Sequence, residues 1–308
     1  MRVRLREITA SDFDPVAAVL SEELGYPSKY FLNLLNVLRV RDVQPQFPKY
    51  GYLLDSDGSV VGAIILIYSA RDPSWTKVRC HVTSWCARPE YRPYATLLAF
   101  KATNRRDVSY INISARPTTR PIIEAQGFTR YSNGIFLSFP LFHVFDKRDA
   151  ITITPFGLNP PGQFSPEDFS LISAHNDYGC ICFWCSVDGR SFPFVFRSKK
   201  FKGIFPGLQL IYCSDVDNIS LFARNFGLYF LRMGKLALAI DSNGSISGLA
   251  GKYFDGVEPR YFKGPKPAIG DLSFTQKALL DYERQTLRIR LKAMSRAFLS
   301  RMRAARAH

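Results

Sequence analysis

Apolar side chains along the chain fall into two spacings, one residue in two and about one in 3.6, and the switches between them mark the elements. Residues 3–8 alternate and predict a strand. Thr9, Ala10, Ser11 and Asp12 then supply N-cap chemistry for an apolar-periodic helix over 13–24, which Gly25 stops. A second helical stretch covers 29–40. Residues 51–54 and 59–69 read as a hairpin joined at Asp55-Ser56-Asp57-Gly58. A strand over 78–87 leads through Arg88, Pro89, Glu90, Tyr91, Arg92 and Pro93 into a helix over 94–104. A strand over 109–114, a short helix over 119–125, the pair Gly127-Phe128 and a strand over 134–139 follow.

Residues 141–168 contain Pro155, Gly157, Pro160, Pro161, Gly162 and Pro166 and keep no period, so they read as a linker. Beyond them the order of elements recurs. Strands over 181–187 and 191–197 flank Asp188-Gly189-Arg190, and a strand over 207–213, a helix over 217–233 and a strand over 235–240 follow. The pattern predicts an α/β class, α+β in its mixed sheet, with two domains that are each a mostly antiparallel twisted sheet flanked by helices. The expected bounds are 1–145, a linker 146–165, a second domain 166–275 and a C-terminal helix 276–308. The duplication rests on element order, because no residue-level repeat accompanies it. In the last segment Leu287, Ile289, Leu291, Met294, Phe298, Leu299 and Met302 recur at helical spacing among eight Lys and Arg residues. A basic amphipathic helix is predicted, packed with a solvated charged face or laid on an anionic surface.

Composition narrows the class. At 308 residues, 46% hydrophobic and 22% charged, the chain is long enough for two domains with full cores, which excludes disordered and collagen-like classes. Its apolar runs, such as 60–68, are shorter than a bilayer span, and the N-terminus alternates instead of forming an apolar block. Six unevenly spaced cysteines do not form a secreted disulfide framework, and a cytoplasmic protein is expected. The net charge of +15 asks for an anionic partner: nucleic acid, a membrane surface or a phosphate-bearing cofactor. No nucleic-acid motif accompanies it.

Three features in order carry a resemblance: Ile8-Thr9-Ala10-Ser11-Asp12-Phe13 after the first strand, Asp57-Gly58-Ser59-Val60-Val61-Gly62 in the hairpin, and Pro89-Glu90-Tyr91-Arg92 followed by Leu97-Leu98, with Ile123-Glu124-Ala125-Gln126-Gly127-Phe128 downstream. Over residues 3–141 the chain resembles the GNAT superfamily of acyl-CoA-dependent N-acyltransferases. The resemblance implies a tandem GNAT-like protein whose second half is degenerate. It also implies transfer of an acyl group from acyl-CoA or acetyl-CoA to a small-molecule or peptide amine. The CoA phosphates would lie at a helix N-terminus, where bare N–H groups bind anions, against Arg92, Tyr94, Ala95 and Thr96. The pantetheine arm would run beside Ser84, Trp85, Cys86 and Ala87 and near Thr118 and Thr119. Backbone after Ser84 would polarise the thioester carbonyl.

Against the family's phosphate loop, Arg/Gln-x-x-Gly-x-Gly/Ala, Arg92 matches the first position while Ala95 and Leu97 replace the glycines. Pro93 donates no N–H. Ile123 stands where the family often has a tyrosine acid. His81, on the strand that would flank the thioester, is the candidate general base because imidazole titrates near neutrality, with a structural histidine as the alternative.

Other patterns point to packing. Cys180 and Cys182 would face one side of a strand and Cys185 the other, which argues for core residues and no metal site. Ser214-Asp215-Val216-Asp217-Asn218 puts acid at the start of the second-half helix, which repels phosphate. The Gly- and Tyr-rich stretches 248–254 and 261–265, followed by Gly270-Asp271-Leu272, read as ordered loop and strand packing, with a substrate-side surface as the alternative. The leading function is therefore an acyltransferase, and the alternative is a non-catalytic ligand- or protein-binding module of the same fold.

Overall fold

The chain is described by a computed structural model over residues 3–70, 72, 74–144 and 151–280. The basic amphipathic stretch expected beyond residue 280 lies outside these residues. Strand β1 (Val3–Glu7) pairs antiparallel with β2 (Gly51–Ser56), which turns into β3 (Ser59–Ala70). The two-residue turn needs left-handed backbone twice, and Asp57 and Gly58 supply it at φ +51° and +87°. Helices α1 (Phe13–Leu24) and α2 (Ser28–Arg39) lay Val16, Leu20, Phe31, Leu34 and Leu38 against Leu53, Ala63 and Ile65 on one face of these strands.

Asp12 fixes the approach to α1. Its carboxylate accepts from the Thr9 N–H at 2.8 Å and from both Arg6 η-nitrogens at 2.8 Å. Hydrogen bonding from Arg6, joined by the Thr9 bonds, holds this carboxyl well below the usual carboxylate range. Its contribution to stability is complete above the ordinary carboxylate pKa and is lost only in stronger acid. Asp12→Ala is expected to lower stability by about 1–2 kcal/mol at pH 7, read from the urea midpoint at unchanged slope.

Strand β4 (Val78–Ala87) continues the antiparallel run, and β5 (Val108–Asn112) joins it in parallel after α3 (Arg92–Ala102) has crossed the other face. Helix α3 begins two residues before the expected position because Pro93, in its first turn, needs no N–H partner. It buries Leu98, Ala99 and Ala102. Helix α4 (Arg120–Ala125) leads to β6 (Thr129–Ser138), which starts five residues before its expected beginning, with Thr129 and Arg130 exposed.

The stretch expected as a linker holds β7 (Thr152–Pro155) and the start of α5 (Pro166–Asp177). Next come β8 (Ile181–Val187), β9 (Arg190–Phe201) and β10 (Phe205–Cys213). The helix expected over 217–233 is a 3-10 segment, Asp217–Phe222, followed by α6 (Ala223–Arg232). Strand β11 (Ala237–Ser242) precedes β12 (Gly251–Lys263), one continuous strand over the stretches expected as mixed loop and strand packing. The short α7 (Gln276–Leu279) belongs to the packed body, with Ala278, Leu279 and Leu280 buried. The helix that begins at Gln276 stops at Leu279, with Leu280 extended, and the remainder of the expected C-terminal helix lies outside the described residues.

The α/β class and the mixed sheet flanked by helices hold. The strands do not form two separate sheets, however. They form one twelve-stranded sheet in the order β1-β2-β3-β4-β5-β12-β6-β11-β10-β9-β8-β7. Its two halves run the same course: four antiparallel strands and then a parallel fifth, β5 on β4 and β11 on β10. Each fifth strand then takes its neighbour from the other half, β12 on β5 and β6 on β11. Strands β6 and β12 pair with each other across the centre, and left-handed residues Gly256 (φ +69°) and Glu258 (φ +49°) lie between the two paired stretches of β12.

Arg260, just beyond this kink, is fully buried. It donates to both carboxylate oxygens of Asp241 at 2.7 and 2.9 Å, to the Ile113 carbonyl at 2.7 Å and to Glu258 at 3.2 Å. Around it the halves share a core in which Ile111, Ile113 and Tyr131 meet Trp184, Val195, Ile211 and Leu272. Outside that centre, Phe183, Phe194, Phe196, Phe226 and Phe230 pack the second half. Cys180, Cys182 and Cys185 are buried and in no disulfide, and among the described residues no group of three metal-ligating side chains occurs.

Candidate functional site

Strands β4 and β5 pair from Val78 opposite Val108 to His81 opposite Ile111 and then diverge. The divergence leaves one edge of β4 without a strand partner. On its other edge Thr83 faces Ile65 and Cys86 faces Ala63, so Ser84 and Trp85 share the single residue Ile64. This bulge puts Ser84 at φ +53°, a left-handed conformation that a serine holds only at a cost of order 1 kcal/mol. A bulge re-aims the backbone. Here it does so where the strand borders a cavity of about 330 Å³.

The cavity walls come from three parts of the chain. Val82 to Trp85 form one side, Asn112 to Arg116 with Thr118 and Thr119 form the second, and Tyr26, Tyr30 and Phe31 join Gln276 and Lys277 as the third. Of the residues expected at the site, Ser84, Trp85, Thr118 and Thr119 line it. Cys86 and Ala87 contribute no side chain: Ala87 is buried near Gly62, and Cys86 packs on the α1 side with its thiol pushed up to about 12 by burial. Arg92, Tyr94, Ala95 and Thr96 occupy the first turns of α3, outside the cavity wall. Arg92, Tyr94 and Thr96 are exposed, and the Ala95 carbonyl accepts the Trp85 indole N–H at 3.1 Å, which fastens α3 to the bulge. Ile123 is in the core, and its side chain is not among those lining this cavity. Beside it, Glu124 accepts from Tyr261 Oη at 2.9 Å and pairs with Arg130, so it ties α4 to β12.

The structure gives His81 a different task from proton transfer. Its Nδ1 accepts the Gln276 backbone N–H at 2.8 Å, and its Nε2 has no hydrogen-bond partner. The ring nitrogen that could take a proton is therefore occupied. Burial, with Arg79, Lys277 and Arg260 nearby, pushes the imidazole pKa down to about 3. His81 holds the turn that delivers Gln276. That glutamine donates from Nε2 to Tyr30 Oη and accepts from Thr83 Oγ1, closing the cavity floor. Neither Gln276 nor Lys277 was expected at the site, because both lie more than 180 residues beyond β4 and form no local motif with it.

In the second half a later segment takes the corresponding strand edge, and a cavity of about 600 Å³ remains between residues 214–216, 242–247 and 268–269 at the ends of β10 and β11. Strands β10 and β11 part beyond Gln209 opposite Ala239, and β10 carries its own irregularity at Ile211. Residues 270–272 occupy the vacated edge: the Leu272 N–H donates to the Ile211 carbonyl at 2.7 Å and the Cys213 N–H to the Gly270 carbonyl at 3.2 Å, with Tyr212 bridged to Asp271. One segment thus pairs with the β10 edge in the second half and, a few residues on, borders the cavity of the first.

No family model matches the chain, and no curated protein is similar to it in sequence. Solved structures share its fold. A GCN5-related N-acetyltransferase from Anabaena variabilis superposes with a TM-score of 0.56 at 10% identity, over 85% of this chain and 72% of that one. One from Kribbella flavida gives 0.53 at 11% identity, over 85% and 70%. At this identity the likeness is one of fold alone.

Proposed function

From the GCN5-related N-acetyltransferase fold and the open β4 edge, we propose that the chain transfers an acyl group from acyl-CoA or acetyl-CoA to an amine. The observation that carries the reading is the bulge at Ser84 and Trp85, set at the divergence of β4 and β5 and opening into a cavity. N–H groups on an edge without a strand partner can donate to a thioester carbonyl and to the oxyanion that develops from it. The cavity between Trp85 and Thr118–Thr119 would take the pantetheine arm. Holding amine and thioester together there supplies most of the rate. Residues 166–275 read as the degenerate copy, since residues 270–272 occupy the β10 edge that would face a thioester and Asp215 puts a carboxylate on the cavity that remains there. A cytoplasmic setting belongs to the same reading and accords with six cysteines in no disulfide; among the described residues no helix is long and apolar enough to cross a membrane.

For the phosphates, the N-terminus of α3 has no acidic residue in its first turn and carries exposed Arg92. With both loop glycines replaced, affinity should depend on the Arg92 charge. Isothermal titration of CoA into wild type is expected to show binding, and Arg92→Ala to weaken it by about 1–3 kcal/mol with the fold unchanged. Absence of heat at millimolar CoA or acetyl-CoA rejects the reading. Equal affinity in both proteins keeps the cofactor and moves its phosphate site.

A second reading, a ligand-binding module without turnover, is favoured by one observation: His81 has no lone pair to offer as a base. Release of free thiol from acetyl-CoA in the presence of an amine separates the two.

A further inference from the structure

The charges around the cavity bear on which amine it accepts. Its lining contains two cationic side chains, Arg116 and Lys277, and no Asp or Glu. Arg116 already donates to the Leu24 carbonyl at 2.7 Å. Lys277 belongs to a cluster in which Glu258 lies 2.7 Å from it, 2.8 Å from Lys199 and 3.2 Å from Arg260, while Asp241 takes the other side of Arg260. Three cations therefore share two carboxylates. Side-chain exposure is 0% for Arg260, 17% for Lys199 and 22% for Lys277, and of the three Lys277 alone lines the cavity. The excess positive charge is thus presented to a ligand at Lys277.

An unbalanced charge in a poorly hydrated place is unfavourable, and an incoming anion relieves it. We propose that the acceptor is an amine bearing its own carboxylate, an amino acid with an apolar side chain, and that Lys277 binds that carboxylate. The ammonium is held below the usual lysine range by burial and by Arg260, against the pull of Glu258, which it shares with Lys199 and Arg260. Tyr26 and Tyr30, stacked at 5.3 Å, and Phe31 supply an apolar wall for the side chain. A polyamine or lysine-rich peptide would meet only like charge, which selects against it. The inference deepens the acyl-transfer reading and rests on it for the fate of the amine, though not for capture of the carboxylate.

The test uses the full chain with saturating acetyl-CoA and three probes: L-phenylalanine, L-phenylalaninamide and spermidine. Calorimetry reads binding, and thiol release reads turnover. Phenylalanine is expected to bind at least tenfold more tightly than its amide, and spermidine not at all. Lys277→Gln should bring phenylalanine to the level of the amide, whereas Lys277→Arg should keep the preference; CoA affinity should not change in either variant. The proposal is overturned if the amide binds as well as the acid, if spermidine binds best, if the preference survives in Lys277→Gln, or if none of the three binds. The wild-type comparison of acid with amide decides the matter even if the glutamine variant does not fold. CoA binding without acid preference defeats this inference and spares the acyl-transfer reading. A Lys277-dependent preference without CoA binding does the reverse.

Discussion

Between pH 6.5 and pH 4.5 the protein should lose about 4 kcal/mol of stability, because two buried histidines are held neutral while the unfolded chain takes up protons. His81 has its pKa pushed down to about 3, chiefly by burial. Burial also pushes His175 down to about 4, while its Nδ1 contacts the Leu171 carbonyl at 2.8 Å and its Nε2 accepts the Phe274 N–H at 3.0 Å. A folded pKa below the unfolded one means that the unfolded state binds more protons in this window, so stability falls with pH. The slope approaches about 1.4 kcal/mol per pH unit for each ring. Denaturant midpoints across the window measure it, and His81→Gln should halve the slope. Constant stability from pH 6.5 to 4.5, or imidazole signals that titrate near neutrality in the folded protein, would show that these rings are not locked as described.

Arg260→Met should cost about 3–5 kcal/mol, the penalty for leaving a buried carboxylate without its counter-charge. Asp241 is 4% exposed and its two oxygens are taken up by Arg260, so nothing else stands ready to neutralise it. The damage should fall on the seam, since Arg260 also holds the Ile113 carbonyl of the opposite half. If the charge is the cause, Arg260→Met with Asp241→Leu recovers most of the loss. A double variant no more stable than the single one would assign the loss to packing around the methylene chain.

Much of the first half was legible because its elements follow one period at a time. The expected strand at 78–87 and the helix at 13–24 match β4 and α1 residue for residue. Strand β12 was legible only as mixed loop and strand packing: Asp255, Gly256 and Val257 are exposed, Gly256 and Glu258 take left-handed backbone, and Pro259 follows, so the alternation that marks one continuous strand is lost. Strand β7 is four residues long and ends on a proline, too little for any period. The exchange of β6 and β12 is a long-range pairing that no local pattern encodes. At the site, Ser84, Trp85, Thr118 and Thr119 were found through the resemblance. The left-handed backbone at Ser84 had no signal, because a serine there looks like any strand residue. Gln276 and Lys277 reach the cavity through the tertiary fold, and His81 is a core residue because of them.

The crossed central strands also govern how the chain can be made. Protein synthesis delivers β5 and β6 early, yet the strand that lies between them, β12, leaves the ribosome more than a hundred residues later. At about 5–20 residues per second that is a wait on the order of ten seconds. Throughout it both edges are bare and able to pair with any other nascent strand. A premature stop before residue 251 deprives both halves of the strand that joins them, so neither half is made as a complete part without it. The N-terminal half, which carries the cavity, becomes complete only when the C-terminal strand arrives.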